Sequence, residues 1–334
     1  MDPTIKADPL FRFLSQIGIT SLFVFAGLEV NIKELNEDKG YLTRYLAKST
    51  LLLGVIAYAF SQFFSVPFQE SFILSLGIFT PSAGFILNSL HSFKMTEDHE
   101  YWIKSKAISK EVIAIVLLFL ALQGNNAQSL IISLAFYIGL IFFLPKIFRL
   151  FFKFVSPYAP NSEVPFLIAL ALISGVISKE LGAYYLVGAF LVGIVSSRFK
   201  DEIFREDEEI IFKSLSSFFT VFLPFYFFYA GLKISLKEFQ IEALYIGIAA
   251  LIIFVPLRVI LISTSIKMFL KDVKEKAYGI SASLMPTLIF GLVIATILKE
   301  RGIIDIKYVY ALIIYTILTS LLPTVLFSFK KAKS

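Results

Sequence analysis

The sequence contains no cysteine, which excludes disulfide bonds, thiolate metal sites and thiol catalysis. Charged residues are also scarce: they make up 17% of the 334 residues, whereas soluble domains have about 25%. Hydrophobic residues make up 57%, and the mean hydropathy is +0.80. Apolar runs recur along the whole chain without a soluble block between them. The composition therefore predicts one integral membrane domain.

Signatures of enzymes are absent as well. The chain has no HExxH, no GxSxG, no P-loop and no GxGxxG motif. We therefore expect neither an enzyme nor a cofactor, and an intramembrane enzyme is the least favoured class because no nucleophile–base pair is present. The net charge of +6 does not indicate a nucleic-acid partner, because the basic residues cluster in short loops between apolar segments.

The apolar runs predict an all-α, polytopic membrane protein with about 11 transmembrane helices. The predicted segments are 9–30, 42–66, 70–91, 103–123, 127–150, 163–182, 183–198, 214–232, 240–266, 275–298 and 304–328. Alternate loops, beginning with 31–48, hold 21 of the 31 lysines and arginines, and the opposite side holds 8. This bias predicts that the N-terminus is outside and the C-terminus is cytoplasmic.

Two similar sequences lie 204 residues apart. FAGLEVNIKEL (25–35) and YAGLKISLKEF (229–239) share Ala, Gly, Leu, Lys and Glu. By the predicted topology they leave the membrane on opposite sides, as in the inverted repeats of secondary transporters. Chance similarity between two apolar helix ends is the alternative. We favour a first repeat at 9–123, linking helices at 127–182 and a second repeat at 183–330, all within one transmembrane domain over 1–334.

Two prolines keep nearly the same spacing as the repeat. Pro81 lies in FTPSAGFIL (79–87) and Pro286 lies in LMPTLIFGL (284–292). Proline removes a backbone donor and clashes with the preceding turn, so both segments are predicted to break. Matched broken helices in two inverted halves indicate a binding site in the middle of the membrane. The candidate ion path at these breaks consists of Thr80, Pro81, Ser82, Pro286 and Thr287, although each hydroxyl is also a potential helix-packing group.

Charged residues inside apolar segments are the second indication of a site. Glu111 lies about 10 Å, and Arg258 about 12 Å, from the cytoplasmic ends of their helices at 1.5 Å per residue. Because a buried guanidinium needs an anionic or carbonyl partner, we expect Arg258 to face Glu111. Lys110 either extends to the cytoplasmic interface or pairs with Glu111 in place of a cation, and the sequence does not decide between these.

The chain resembles the sodium/hydrogen exchanger domain of the monovalent cation:proton antiporter-2 family. The resemblance is carried by FLSQIGITSLFVFAGLEVNIKEL (13–35), YYLVGAFLVGIVSS (184–197) and LPFYFFYAGLKISL (223–236). It implies an inverted-repeat sodium/proton antiporter-like fold in which the third and tenth segments cross as broken helices. It also implies that the chain is short at its N-terminus, since relatives have two helices that would precede Met1.

The resemblance further implies a secondary active transporter that exchanges Na⁺ or K⁺ for H⁺ by alternating access. Glu111 aligns with the family's ion-binding aspartate, and Arg258 with its later basic residue; Arg258 and Lys110 would be the counter-charges. Relatives have Asn-Asp, Asp-Asp or Gln-Asp where this chain has Lys110-Glu111. The expected partners are the cation, H⁺, the lipid of a plasma (inner) membrane and a second copy in a homodimer.

Two other functions also fit the sequence. One is a sodium-coupled transporter of organic anions with a similar fold, which the basic pair Lys110 and Arg258 favours modestly. The other is a non-transporting membrane subunit whose ion site is locked by Lys110. The shift of thermal stability by different substrates, and the effect of truncating Lys110, would separate these functions from cation exchange.

Overall fold

The computed structural model describes residues 8–30, 39–90, 97–124, 127–159, 162–181, 186–199, 208–235, 237–269 and 274–331. These residues form thirteen α-helices and two short 3₁₀ turns, and none of them lies in a strand. The helices are α1 (Pro9–Leu28), α2 (Lys39–Phe64), α3 (Phe68–Phe79), α4 (Ala83–Leu90), α5 (Glu97–Gln123), α6 (Ala127–Phe154), α7 (Glu163–Glu180), α8 (Leu186–Ser196), α9 (Glu208–Lys233), α10 (Ile241–Phe269), α11 (Ala277–Ser283), α12 (Leu288–Arg301) and α13 (Ile306–Lys331).

The all-helical prediction is confirmed, and each of the eleven predicted segments corresponds to one helix or to a pair of helices. The third segment is divided into α3 and α4, and the tenth into α11 and α12. Eleven crossings are not confirmed. Among the described residues, five helices are long and apolar enough to cross a bilayer: α1, α2, α6, α10 and α13. The pair α11–α12, bent by 44°, gives a sixth if it is counted as one span.

Local sequence explains where several helices begin and end. The side chain of Asp8 accepts a hydrogen bond from the Leu10 amide at 2.8 Å, and Pro9 occupies the first helical position of α1. Thr80 has an extended conformation (φ −90°, ψ 118°) because the residue before a proline is pushed out of the helical region, so α3 ends there. Gly302 has φ +63° and ends α12 in the left-handed conformation that glycine adopts without cost.

Proline alone does not explain which helices break. Helices α6, α9, α10 and α13 contain Pro145, Pro224, Pro256 and Pro323, respectively, and each continues past its proline. Membrane helices tolerate proline where neighbouring groups satisfy the freed carbonyls. The breaks at Pro81 and Pro286 therefore need further contacts to stabilise them.

The chain divides into two compact units. The first comprises 1–32 and 122–234 and contains α1 and α6–α9. Within it, α1 packs against α8 and α9, and α8 also packs against α7 and α6. A Cβ atom on Gly27 would lie 2.8 Å from Cα of Gly193, so the backbones of α1 and α8 approach as closely as small residues allow. Both copies of the repeated Ala-Gly-Leu end a helix, the first α1 and the second α9.

The second unit comprises 33–121 and 235–334 and contains α2–α4, nearly all of α5, and α10–α13. Within it, α3 packs against α2 and α12, while α13 packs against α10 and α12. An ion pair joins the start of α3 to the end of α12: Nη2 of Arg301 lies 2.8 Å from Oε1 of Glu70, whose side chain is 3% exposed. Both broken helices, Glu111, Lys110 and Arg258 all belong to this unit.

Candidate functional site

The two helix breaks meet in the interior of the second unit. The amide of Ser82 donates a hydrogen bond to the carbonyl oxygen of Pro286 at 2.9 Å. Thr80, Ser82 and Thr287 have no exposed surface, and Pro81 and Pro286 are also buried. The structure thus brings together all five residues that the sequence analysis assigned to the breaks.

Glu111 lies at the first of these breaks. Helix α5 presents its carboxylate to the start of α4, where Oε2 accepts a hydrogen bond from the Ala83 amide at 2.9 Å. Ala83 is the first residue of α4, so the negative charge lies at the positive end of a helix dipole. Glu111 is 1% exposed. The break therefore supplies the carboxylate with a backbone donor that an unbroken helix would not offer.

Arg258 lies at the second break. From α10, its Nη2 donates to the carbonyl oxygen of Leu284 at 2.8 Å, and its Nη1 donates to that of Met285 at 3.0 Å. These carbonyls follow the last turn of α11 and are freed because the helix stops before Pro286. A cation at a helix C-terminus is favourable, so the guanidinium stabilises this break. Arg258 is 2% exposed.

The expected ion pair between Glu111 and Arg258 is wrong. Among the described residues no ion pair joins them, and each has its own partners at a different break. Equal depth in the membrane places two side chains at one level but does not set the direction in which each helix presents them. The Nη atoms of Arg258 instead donate to the backbone carbonyls of Leu284 and Met285.

Lys110 forms no ion pair with Glu111 among the described residues, although the two are neighbours in sequence. Adjacent residues of a helix point about 100° apart, and Lys110 faces a cavity that Arg258 also lines. Lys110 is 7% exposed. The pairing of Lys110 with Glu111 in place of a cation is therefore not observed.

The hydroxyl groups at the two breaks differ in their partners. At the first break, Oγ1 of Thr80 and Oγ of Ser82 are buried and have no hydrogen-bond partner among the described residues. At the second, Oγ1 of Thr287 lies 3.2 Å from Oγ1 of Thr319 on α13. Because buried hydroxyls are normally hydrogen-bonded, the first pair is the unusual one.

Tyr315 was not singled out from the sequence. Its hydroxyl accepts a hydrogen bond from Nη1 of Arg258 at 3.0 Å and donates one to the carbonyl oxygen of Ile78 at 3.2 Å. It therefore connects the second break to α3, the helix that ends at the first. The available signal was the polar pair Tyr315 and Thr319, four residues apart on one face of an otherwise apolar helix.

The sequence matches a family model. The model described as "Sodium/hydrogen exchanger, transmembrane" matches residues 3–329. Similar proteins include the "Probable Na(+)/H(+) antiporter GerT" of Bacillus cereus, 25% identical over 260 residues, which are 74% of this chain and 67% of that protein. The "Na(+)/H(+) antiporter" of Enterococcus hirae is 22% identical over 349 residues, covering 98% and 87%. The "Cation/H(+) antiporter 18" of Arabidopsis thaliana is 26% identical, but the chain spans only 31% of its length.

The fold also has a solved counterpart. The sodium proton antiporter MjNhaP1 from Methanocaldococcus jannaschii at pH 8 superimposes with a TM-score of 0.62. The match covers 96% of this chain and 84% of that chain, at 13% sequence identity. At this identity the match shows the fold alone.

Proposed function

We propose that this chain, which belongs to the transmembrane sodium/hydrogen exchanger family, exchanges a monovalent cation, Na⁺ or K⁺, for protons by alternating access. The observation that carries the proposal is the position of Glu111, buried at the crossing of two broken helices with a backbone amide as its one hydrogen-bond donor among the described residues. The names of its relatives, which describe Na⁺/H⁺ and cation/H⁺ antiporters, agree with this function.

The chemistry of exchange follows from one carboxylate with two competing ligands. A buried ionised carboxylate with one neutral donor is costly, so Glu111 favours either a bound proton or a bound cation. The two cannot occupy the same oxygen at once. Binding of one therefore releases the other, and the protein couples the two flows when the site opens to each side in turn.

The unpaired hydroxyls supply further ligands. Alkali cations prefer oxygen ligands, and broken membrane helices offer them as unwound carbonyls and side-chain oxygens. Thr80 and Ser82 lie three residues and one residue before Ala83, whose amide donates a hydrogen bond to Glu111. We assign Oγ1 of Thr80, Oγ of Ser82 and the carboxylate of Glu111 to the cation site. The other residues at the breaks shape the backbone around this site and do not bind the cation: Pro81, Pro286 and Thr287.

Arg258 has a supporting role in this mechanism. Its guanidinium is bound to the carbonyls of Leu284 and Met285, so it stabilises the second break and leaves Glu111 free to bind its ligands. Its positive charge and that of Lys110 nevertheless lie in the same unit as Glu111. We propose that these charges favour release of the cation and so prevent it from binding too tightly.

A further part of the proposal concerns which unit of the molecule moves. Because Glu111 and both breaks belong to the second unit, we propose that this unit is the moving core and that the first unit forms the dimerisation bundle of a homodimer. The protein would lie in a plasma membrane with its N-terminus outside and its C-terminus in the cytoplasm, as the basic loops predict.

Replacement of the carboxylate tests the proposal. Glu111→Gln keeps an oxygen that accepts from Ala83 but loses the exchangeable charge, so we expect the variant to fold and to lose all cation-driven proton movement. In everted vesicles, NaCl or KCl should reverse the quenching of a pH-sensitive dye with the wild type and not with the variant. Glu242→Gln, which changes an exposed carboxylate on α10, is the control and should respond normally. A full dye response from Glu111→Gln would refute the assignment.

The sodium-coupled transport of organic anions is the second candidate, because Lys110 and Arg258 line one cavity without an acidic residue among its described walls. Thermal stabilisation by organic anions that requires Na⁺ would favour this candidate, whereas stabilisation by Na⁺ or K⁺ alone favours exchange. A subunit locked by Lys110 is less well supported, since Lys110 forms no ion pair with Glu111 among the described residues.

A further inference from the structure

A cavity of about 410 Å³ lies within the second unit, beside the exchange site but not part of it. Helices α2, α3, α5 and α10 contribute its walls. Most of the lining is apolar and comes from Leu51, Leu52, Phe79, Leu261 and Ile262. Leu51 is 71% exposed and Leu261 is 39% exposed, so the cavity opens at the surface between α2 and α10, two helices apolar enough to cross a bilayer.

The charge in this cavity is of one sign. Lys110 and Arg258 line its inner part, Lys48 also contributes, and no acidic residue stands among the described residues that line it. Lys110 and Arg258 are 7% and 2% exposed. Two cations in an apolar wall are costly without an anion, so the cavity is electrostatically complementary to a negatively charged group.

Both buried cations keep donors available. Arg258 uses Nη1 and Nη2 for the carbonyls of the second break, but its Nε is buried and has no hydrogen-bond partner among the described residues. Lys110 has no ion pair with any described acidic residue. A carboxylate accepts several hydrogen bonds and would satisfy both cations at once.

We propose that this cavity binds a single-chain anionic amphiphile: a fatty-acid-type carboxylate whose head meets Lys110 and Arg258 and whose alkyl chain lies along the apolar wall towards the bilayer. The volume is at the lower end of the roughly 300–1,000 Å³ typical of ligand pockets, which suits one chain better than a two-chain phospholipid. Entry from the membrane is consistent with the exposed leucines at the opening. Arg258 would then contact both the carboxylate head and the carbonyls that follow α11. Occupancy of the cavity and the packing of α11 would therefore be linked.

Binding of palmitate to the purified protein tests this proposal. With the protein in nanodiscs of zwitterionic lipid, we expect saturable binding of radiolabelled palmitate and at least tenfold weaker competition by methyl palmitate, which lacks the charge. Lys110→Met and the cavity-filling Leu52→Trp should each weaken binding at least tenfold. Intact folding of both variants is checked by their thermal unfolding and gel filtration.

Matched variants control for nonspecific effects. Lys153→Met removes an exposed lysine of α6, in the first unit, that does not line the cavity, and Val55→Trp adds an indole to the exposed face of α2; both should bind palmitate normally. A photoreactive palmitate analogue should label α2 or α10 at the cavity. Equal binding of palmitate and its methyl ester, unchanged binding in Lys110→Met, or labelling elsewhere would each overturn the proposal. Equally strong competition by phosphatidylglycerol would overturn its single-chain form.

Discussion

The two helix breaks are built from similar sequences, yet they are stabilised in opposite ways. At the first, the start of α4 faces the anionic carboxylate of Glu111; at the second, the end of α11 faces the cationic guanidinium of Arg258. The difference follows from the helix dipole, because freed amides attract an anion and freed carbonyls attract a cation. Each charge is therefore matched to one helix end and does not depend on the other charge.

The breaks also differ in how fully their polar groups are satisfied. The second has Thr287 bonded to Thr319 and its carbonyls bonded to Arg258, whereas the first leaves the hydroxyls of Thr80 and Ser82 unpaired. A break whose carbonyls and hydroxyl are hydrogen-bonded is a structural element, and a break that leaves buried hydroxyls unpaired is suited to bind a ligand. We therefore assign the ligand to the first break and the scaffold to the second.

The largest effect on stability is expected from Arg258. Arg258→Met leaves the carbonyls of Leu284 and Met285 without their donor, and each unsatisfied buried group costs about 1–3 kcal/mol. Arg258→Lys should be intermediate, because an ammonium cannot replace the planar fork of the guanidinium. Thermal unfolding in detergent measures both. Arg12→Met, at an exposed position, is the control, and an unfolding temperature of Arg258→Met equal to that of the wild type would contradict a stabilising role for the second break.

A smaller effect is expected from the packing of the second broken helix. A Cβ atom on Gly291 in α12 would collide with Cγ2 of Thr316, so Gly291→Ala should destabilise the protein by about 1–3 kcal/mol. In α11, a Cβ on Gly279 meets nothing within 4 Å. There Gly279→Ala should be neutral or stabilising by up to about 1 kcal/mol. Equal unfolding temperatures for the two variants would show that α12 is not packed as closely as described.

The smallest effects separate the two breaks most directly. Thr287→Val loses the hydrogen bond to Thr319 and should cost about 0.5–1.5 kcal/mol, with little change in the cation concentration for half-maximal exchange. Thr80→Val removes an unpaired hydroxyl, so the free energy of unfolding should be unchanged or higher. The cation concentration for half-maximal exchange should rise several-fold, because a ligand of the cation is lost. Dye assays over a range of NaCl or KCl, together with thermal unfolding, measure both quantities. A reversed pattern would move the cation site to the second break.

Residues of the candidate site differ in how well the sequence predicted them. Pro81 and Pro286 were correctly chosen as breaks, whereas Pro145, Pro224 and Pro256 lie in continuous helices. The matched spacing in the two halves distinguished Pro81 and Pro286 from the other prolines, because the presence of a proline does not by itself identify a break. The burial of Glu111 followed from its place in an apolar segment. Its pairing with Arg258 was predicted wrongly, because the sequence gives the depth of a side chain and not its direction.

The sequence by itself determined that the protein is all-helical, where its apolar segments lie and which charges lie inside them, because these depend on composition and on local proline and apolar patterns. Only the tertiary structure decided which groups those charges meet. The carbonyls freed at Leu284 and Met285, the amide of Ala83 and the hydroxyl of Tyr315 come from distant parts of the chain. Their hydrogen bonds depend on how the helices pack and on the direction of each side chain, and neither is encoded in a local pattern.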